Sequence, residues 1–147
     1  MAKRDNKSLN ELLVTLFNSI MATESKAVIT EEFKDISHND MHIIEATGIE
    51  EPRKMSEIAK RLGVTVGTLT TNMNSLERKN YVVRERSDSD KRVVYVKLTE
   101  RGRKAFFRHR DFHKKMIRSA ASEFTPEEQV ILMRCLNKLN DFFVNSQ

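Results

Sequence analysis

The segment from Met55 to Leu98 reads MSEIAKRLGVTVGTLTTNMNSLERKNYVVRERSDSDKRVVYVKL and carries the clearest structural pattern in the chain. Its first part, Met55 to Leu62, has the apolar spacing of a short helix. Gly63 follows directly, and glycine ends helices where the chain must turn left-handed. Thr65 can cap a second helix, which is predicted to run to about Lys79. The stretch therefore begins with two helices joined by a tight turn.

The second of these helices has an apolar side and a side of short polar residues. The inner, apolar side carries Leu69, Met73 and Leu76. The outer side carries Thr68, Thr71, Asn72, Asn74 and Ser75. A helix that enters the major groove of DNA presents small polar side chains of this kind to the base edges.

Two β-rich runs, Tyr81 to Arg86 and Arg92 to Leu98, follow the second helix. The segment between them, Ser87 to Lys91, has the Asp and Ser composition of a hairpin loop. Helix, turn, helix and hairpin together predict a winged helix-turn-helix, in a chain that is mainly α with a small β-wing (α+β). A helical hairpin and a β-hairpin that merely pack together would not explain the Thr and Asn side chains or the arginines beside the loop.

Helices are also predicted on both sides of this unit. The first covers residues 8 to about 29, and a second is capped by Ser37 and ended by Gly48. After the hairpin, Thr99 caps a long helix from Glu100 to about Ala121. Thr125-Pro126-Glu127-Glu128 then starts the last helix.

These terminal helices are more apolar than a lone winged helix requires, so we expect them to bury their stripes in a homodimer. The prediction is one domain over residues 1–147, with dimerisation helices at 8–30 and 100–145 around a winged helix-turn-helix at 37–98. A two-fold dimer presents two recognition helices about one DNA turn apart, which predicts a pseudo-palindromic operator.

The charge of the chain is unevenly distributed. The net charge is +5, but residues 78–118 alone hold 15 Lys and Arg against 5 Asp and Glu. A basic block that coincides with the hairpin and the following helix is the electrostatic footprint of phosphate binding. A structural nucleoid protein would share this footprint, although its binding would tolerate any sequence.

Other features limit the compartment and the chemistry. No apolar run is long enough to span a bilayer, and no signal-peptide core follows the charged segment Met1 to Lys7, so we expect no membrane insertion and a cytoplasmic protein. The single cysteine, Cys135, lies among apolar residues and is predicted to be buried and inert. The four glycines are not grouped and no catalytic triad stands out, so the chain is not predicted to be an enzyme and requires no cofactor.

The wing segment Asp90-Lys91-Arg92, with Val93 to Leu98 and then Thr99-Glu100-Arg101-Gly102, resembles that of the MarR family of bacterial transcription regulators. The resemblance covers nearly the whole chain. It implies that Arg92 enters the minor groove and that Asp90 orients it, a role for which arginine is suited because that groove is narrow and negative. The residues predicted to contact DNA are Thr65, Thr68, Thr71, Asn72, Arg84, Arg86, Lys91 and Arg92.

Within that family, the segments Phe33 to Ser37, Val64 to Thr71, Asn74 to Lys79 and Phe112 to Lys114 are similar to those of the repressors of fatty-acid-biosynthesis genes. This resemblance implies a long-chain acyl group on acyl carrier protein as corepressor. An acyl chain needs an apolar tunnel, and pliable residues suit it. The candidate lining residues are Phe17, Met21, Phe33, Met41, Ile44, Phe106, His109, His113 and Met116.

The histidines allow a second ligand hypothesis. His109 and His113 lie four residues apart on one helix, which is a spacing that suits two ligands of one metal. With Glu24 and His42 they resemble the zinc site of the zinc-uptake regulators of the same family. A hydrogen-bonded histidine cluster, or a polar end to the acyl tunnel, is the preferred interpretation of these residues, and the zinc site is the alternative.

Overall fold

The computed structural model describes residues 8–147. These residues form two compact units, and the boundary between the units falls inside one helix, between His109 and Arg110. The predicted single domain thus contains two packing units within its described part. Residues 1–7, which bear on the expectation that there is no signal peptide, lie outside the described residues.

The first unit combines helices with a small antiparallel sheet. Its helices are α1 (Leu9–Val28), α2 (His38–Thr47), α3 (Met55–Leu62), α4 (Val66–Arg78) and the first part of α5 (Glu100–Ala121). Its strands are β1 (Arg53–Lys54), β2 (Val82–Arg86) and β3 (Val94–Leu98), in the order β1-β3-β2. The predicted winged helix-turn-helix, mainly α with a small β-wing, is confirmed.

The helix ends follow from local chemistry, as predicted. The Ser37 hydroxyl accepts a hydrogen bond from the Asp40 N–H at 3.0 Å, and the Asp40 carboxylate accepts one from the Ser37 N–H at 3.0 Å, which starts α2. Gly63 ends α3 at φ +66°, a left-handed conformation that glycine adopts without the steric cost of a Cβ atom. Thr65 then caps α4. These boundaries fix the turn between α3 and α4.

The sheet differs from the prediction in two respects. The second strand of the hairpin begins at Val94 and not at Arg92, because the Val93 N–H donates to the Asp90 carbonyl in the turn at 2.9 Å. The short strand β1, which pairs with β3 through Arg53 and Lys54, was not predicted. Two residues carry no periodicity, so the sequence held no signal for it.

The core of the first unit lies between α2, α3, α4 and the sheet. The side chains of Leu69, Met73 and Leu76 on α4 are fully buried, which confirms the inner side of that helix. Ile44 and Ile58 meet them from α2 and α3. This packing leaves the opposite side of α4 at the surface.

The second unit contains the rest of α5 and the helix α6 (Pro126–Asn145). Thr125 and Glu128 form the capping box at the start of α6, as predicted. None of the residues of α6 is buried, and Cys135 is exposed, so the prediction of a buried cysteine is wrong for the chain as described. Its apolar neighbours are themselves uncovered, because α6 has no partner within its own unit beyond α5. No helix among residues 8–147 is long and apolar enough to cross a membrane.

Candidate nucleic-acid interface

The outer side of α4 is the first part of the candidate surface. Thr65, Thr68 and Thr71 are exposed, and Asn72 is half-buried. Thr68 and Thr71 face away from the buried leucines and methionine of α4, whereas Asn72 lies beside the buried row, three residues after Leu69. The structure therefore places Thr65, Thr68 and Thr71 on one exposed strip, with the half-buried Asn72 at its edge.

The hydroxyl groups on this strip are partly committed to the helix itself. Thr65 Oγ1 accepts from the Thr68 N–H at 3.1 Å and donates to Thr68 Oγ1 at 3.0 Å. Thr70 Oγ1 donates to the Val66 carbonyl at 2.8 Å. The hydroxyl of Thr71 points back along the helix in the same way, 3.5 Å from the carbonyl of Gly67. Threonines held like this can offer methyl groups to the methyl groups of thymine.

The tip of the β2–β3 hairpin supplies the second part. Arg86 and Lys91 are exposed, and the Arg92 side chain is 91% exposed. The Asp90 carboxylate accepts hydrogen bonds from Arg92 Nε and Nη2, each at 3.1 Å, and these bonds hold the pKa of Asp90 below its usual range. Asp90 therefore contacts Arg92 directly and limits the directions in which the arginine can project, while the role of this pair in the minor groove stays a prediction.

Arg84 occupies a different position from the other predicted cations. Its Nε donates to Glu77 Oε2 at 3.2 Å, and its Nη2 donates to Glu77 Oε1 at 3.0 Å and to Asn74 Oδ1 at 2.6 Å. Both partners belong to α4. The sequence predicts Arg84 as a phosphate contact, whereas the structure turns its guanidinium towards the recognition helix.

A groove of about 540 Å³ lies between α4, the hairpin and the start of α3. Lys54, Arg84, Arg86 and Arg92 line it, so four cations surround one concave surface. Sequence reasoning missed Lys54, although a basic residue directly before a helix could have indicated it. The arrangement suits a polyanion, because the groove is open and its walls carry one sign of charge.

The predicted acyl-tunnel residues do not share one environment. Phe33, Met41 and Ile44 are buried in the core of the first unit, with at most 3% of their surface exposed. Phe17 lies on the exposed side of α1, at 63% exposure. The remaining residues of the set have lower exposure: His109 is buried, and Met21, Phe106, His113 and Met116 are half-buried. A ligand-binding role for any of them stays a prediction.

Within residues 8–147, the structure does not bring all four predicted zinc ligands together. Glu24 Oε2 lies 3.2 Å from His38 Nε2, and His38 stacks on His42 with the ring centroids 4.5 Å apart. Among residues 8–147, Glu24 and His42 do not form a cluster of metal-ligand size with His109. Glu45 is the acid that lies beside both His42 and His109. Its carboxylate oxygens are 3.7 Å from His42 Nδ1 and 3.1 Å from His109 Nε2. Sequence reasoning missed Glu45, although it follows His42 by three residues on the same helix.

The predicted dimerisation helices carry exposed apolar side chains in each unit. On α1 these are Leu9, Leu12, Leu13, Val14, Leu16, Phe17 and Ile20. On α6 they are Val130, Ile131, Leu132, Met133, Leu136, Phe142, Phe143 and Val144. Such continuous apolar stripes mark surfaces that other proteins or other copies cover.

Comparison with known proteins agrees with this geometry. The sequence profile of the MarR family matches residues 34–93. The transcriptional regulator SarZ of Staphylococcus epidermidis, described as HTH-type, is 33% identical over 104 residues, which are 67% of this chain and 68% of SarZ.

Solved structures show the same fold over nearly the whole chain. Streptococcus pneumoniae FabT in complex with DNA superposes with a TM-score of 0.89 and 37% sequence identity, and the match covers 95% of this chain and 97% of FabT. The MepR–DNA complex of Staphylococcus aureus superposes with a TM-score of 0.75 over 94% of this chain and 99% of MepR. At 20% sequence identity, the comparison with MepR supports the fold alone.

Proposed function

Because the chain belongs to the MarR family of DNA-binding transcriptional regulators, we propose that it represses fatty-acid-biosynthesis genes as a homodimer on a pseudo-palindromic operator. Long-chain acyl-acyl carrier protein acts as the corepressor. The observation that supports this proposal best is the 37% identity to FabT over 95% of the chain. FabT is the type of MarR repressor that the segments around Phe33, Val64 and Phe112 resemble.

DNA is bound by the two exposed surfaces of the first unit. Thr65, Thr68, Thr71 and Asn72 enter the major groove, where the asparagine can pair with adenine and the threonine methyls can meet thymine. Arg86 and Lys91 contact phosphates at the groove rim, and Arg92 enters the minor groove.

The homodimer forms through the exposed apolar stripes of α1 and α6. Covering these stripes removes apolar surface from water, and a two-fold dimer does so with a single kind of interface. The dimer then sets the distance between the two copies of α4.

The corepressor acts on that distance. A ligand tightens DNA binding only if it binds the operator-matched spacing better than other spacings. The acyl chain uses apolar residues of the predicted tunnel set, such as Phe17 and Met21. The acidic carrier uses exposed cations of α5, including Arg103, Lys104 and Arg108.

The test is a fluorescence-anisotropy titration of a duplex that carries a fatty-acid-biosynthesis promoter, run in parallel with an unrelated duplex of equal length. It has four arms: protein alone, long-chain acylated carrier, unacylated carrier, and zinc added after chelation. We expect the acylated carrier alone to tighten binding. Equal binding in the two carrier arms would overturn the lipid-feedback part, and tightening by zinc alone would replace it with metal sensing. Failure to prefer the promoter over an unrelated duplex would overturn the proposed target genes.

A further inference from the structure

The contacts of Arg84 join the wing to the recognition helix. Arg84 lies on β2, on the same side of the strand as the buried Val82, and its guanidinium reaches two residues of α4 that are three positions apart. Its side chain is only 22% exposed, compared with 91% for Arg92. We name Arg84, Glu77 and Asn74 the wing clamp.

Within the wing clamp, the positive charge of Arg84 compensates the negative charge of Glu77. Glu77 is the single acidic residue among residues 66–78, and it lies on the helix that approaches the phosphates. An uncompensated carboxylate there would repel DNA. The hydrogen bonds from Arg84 compensate that charge, and they hold the pKa of Glu77 below its usual range.

We propose that Arg84 is a positioning residue for DNA binding, which holds the wing at a fixed angle to the recognition helix through Glu77 and Asn74. Operator recognition needs α4 in the major groove and Arg92 in the minor groove at the same time. A two-residue contact from a planar guanidinium fixes that geometry better than a single ion pair does. This inference rests on the proposed DNA-binding role of α4 and the wing.

The competing role for Arg84, a direct phosphate contact, predicts the opposite effect of changing Glu77. If Arg84 contacted a DNA phosphate directly, Glu77→Gln would release the arginine and remove a negative charge that repels DNA, so operator binding would tighten. If Arg84 positions the wing, Glu77→Gln loosens the clamp and weakens operator binding, although the protein becomes more positive. The direction of the change therefore separates the two roles.

The chain offers a matched control for the loss of one negative charge. Glu85 is also on β2, but it lies on the opposite side of the strand, where its carboxylate is 3.6 Å from Lys97 Nζ across the hairpin. Glu85→Gln thus removes an acid from the wing without changing the clamp. We expect this control to bind the operator as well as the wild type or more tightly.

The experiment uses a duplex that the full-length wild-type protein selects from a random-sequence library, and an unrelated duplex of equal length. We expect Glu77→Gln to weaken binding to the selected duplex about three- to tenfold, as for the loss of a well-oriented ion pair. Binding to the unrelated duplex should stay equal or tighten. Unchanged or tighter binding of Glu77→Gln to the selected duplex would overturn the proposal.

Two Arg84 variants complete the test. Arg84→Lys keeps the charge but cannot bridge two residues in the same plane, so we expect it to weaken specific binding while the dependence on salt stays that of the wild type. A phosphate contact would instead keep most of its strength in Arg84→Lys, and its loss in Arg84→Gln would reduce the salt slope by about one. Thermal unfolding of each variant shows whether the fold is intact. If the wild type selects no sequence, the failure lies in the proposed function and not in the clamp.

Discussion

At the scale of single residues, Tyr81 connects three parts of the first unit. Its ring is fully buried, its hydroxyl donates to Asp35 Oδ1 at 2.6 Å, and the Arg101 guanidinium stacks over the ring at 4.3 Å. Arg101 Nη2 also donates to Asp35 Oδ1 at 3.1 Å. We expect Tyr81→Phe to lower the free energy of unfolding at neutral pH by about 2 kcal/mol, because it removes one hydrogen bond to a charged group. Urea denaturation measures this change.

Tyr81 should also make the stability of the protein depend on pH in the alkaline range. Burial, and then the hydrogen bond to Asp35, raises the pKa of Tyr81 above the usual 10.0. A raised folded-state pKa means that the stability is complete below the unfolded pKa and falls as pH rises towards the folded one. The wild type should therefore lose stability above pH 10.0, and Tyr81→Phe should lose less. Tyr95→Phe serves as the control, and parallel curves for the wild type and Tyr81→Phe would contradict the prediction.

Gly102 permits a close approach between α5 and the residue before the wing. A Cβ atom at this position would lie 2.1 Å from the carbonyl oxygen of Tyr81, which is backbone and cannot give way. We expect Gly102→Ala to destabilise the protein by about 2 kcal/mol or more, through overpacking. Gly67→Ala on α4 is the matched control, since its Cβ would meet nothing closer than 3.9 Å and helix propensity favours alanine by about 1 kcal/mol. Equal denaturation midpoints for the two variants would refute the argument.

Local chemistry explains which residue roles could be predicted. Ser37, Gly63 and Thr65 act on their own neighbours in the chain, so the sequence was sufficient to place them. The partners of Arg84 and His109 come from other elements, and nothing in the order of residues indicates a contact with Glu77 or Glu45. The sequence therefore shows which cations and histidines are present, but it does not show which residues they contact.

At the scale of elements, the wing carries a separate prediction. Arg92 projects from the hairpin beside Asp90, and the proposed function places it in the minor groove. We expect Arg92→Ala to weaken binding to the selected duplex and to reduce the salt slope by about one, because one charged contact is lost. Fluorescence anisotropy at several salt concentrations measures both quantities.

The control for this prediction is Lys97→Ala, which removes one positive charge from the same hairpin. Lys97 Nζ lies near Glu85, on the side of the strand away from α4. We expect its loss to change binding much less than the loss of Arg92. Binding by Arg92→Ala that equals the wild type would contradict the assignment of the hairpin as a DNA-binding wing.

The elements themselves were predictable in proportion to their length and pattern. The helix-turn-helix has sharp caps and a clear apolar side, and its elements lie where the pattern predicted them. The strand β1 was not predicted, because its two residues form a strand only by pairing with β3. The apolar stripe of α6 correctly predicted a helix. A stripe does not show whether the residues that cover it belong to the same chain, so the burial of Cys135 was wrongly predicted.

At the scale of the whole molecule, the dimer prediction follows from the stripes. Leu16 is 55% exposed on α1, within a stripe that soluble monomers rarely leave open. We expect the wild type to sediment at twice its chain mass of 17.1 kDa, and Leu16→Glu to shift the equilibrium towards the monomer, because a buried unpaired charge opposes association. Asn18→Glu is the matched control, as it adds the same charge to the polar side of the same helix.

The oligomeric change should also appear in DNA binding. A monomer offers one recognition helix and one wing, so it covers half of a pseudo-palindromic site and loses the contribution of the second half. We therefore expect Leu16→Glu to bind the full selected duplex only about as tightly as a half-site duplex, while Asn18→Glu still distinguishes the two. If Leu16→Glu became monomeric and still preferred the full site, one chain would be sufficient for recognition and the two-fold model of the operator would be wrong. If it stayed dimeric, the interface would have to lie away from α1, and the stripe of α6 would be the next surface to change.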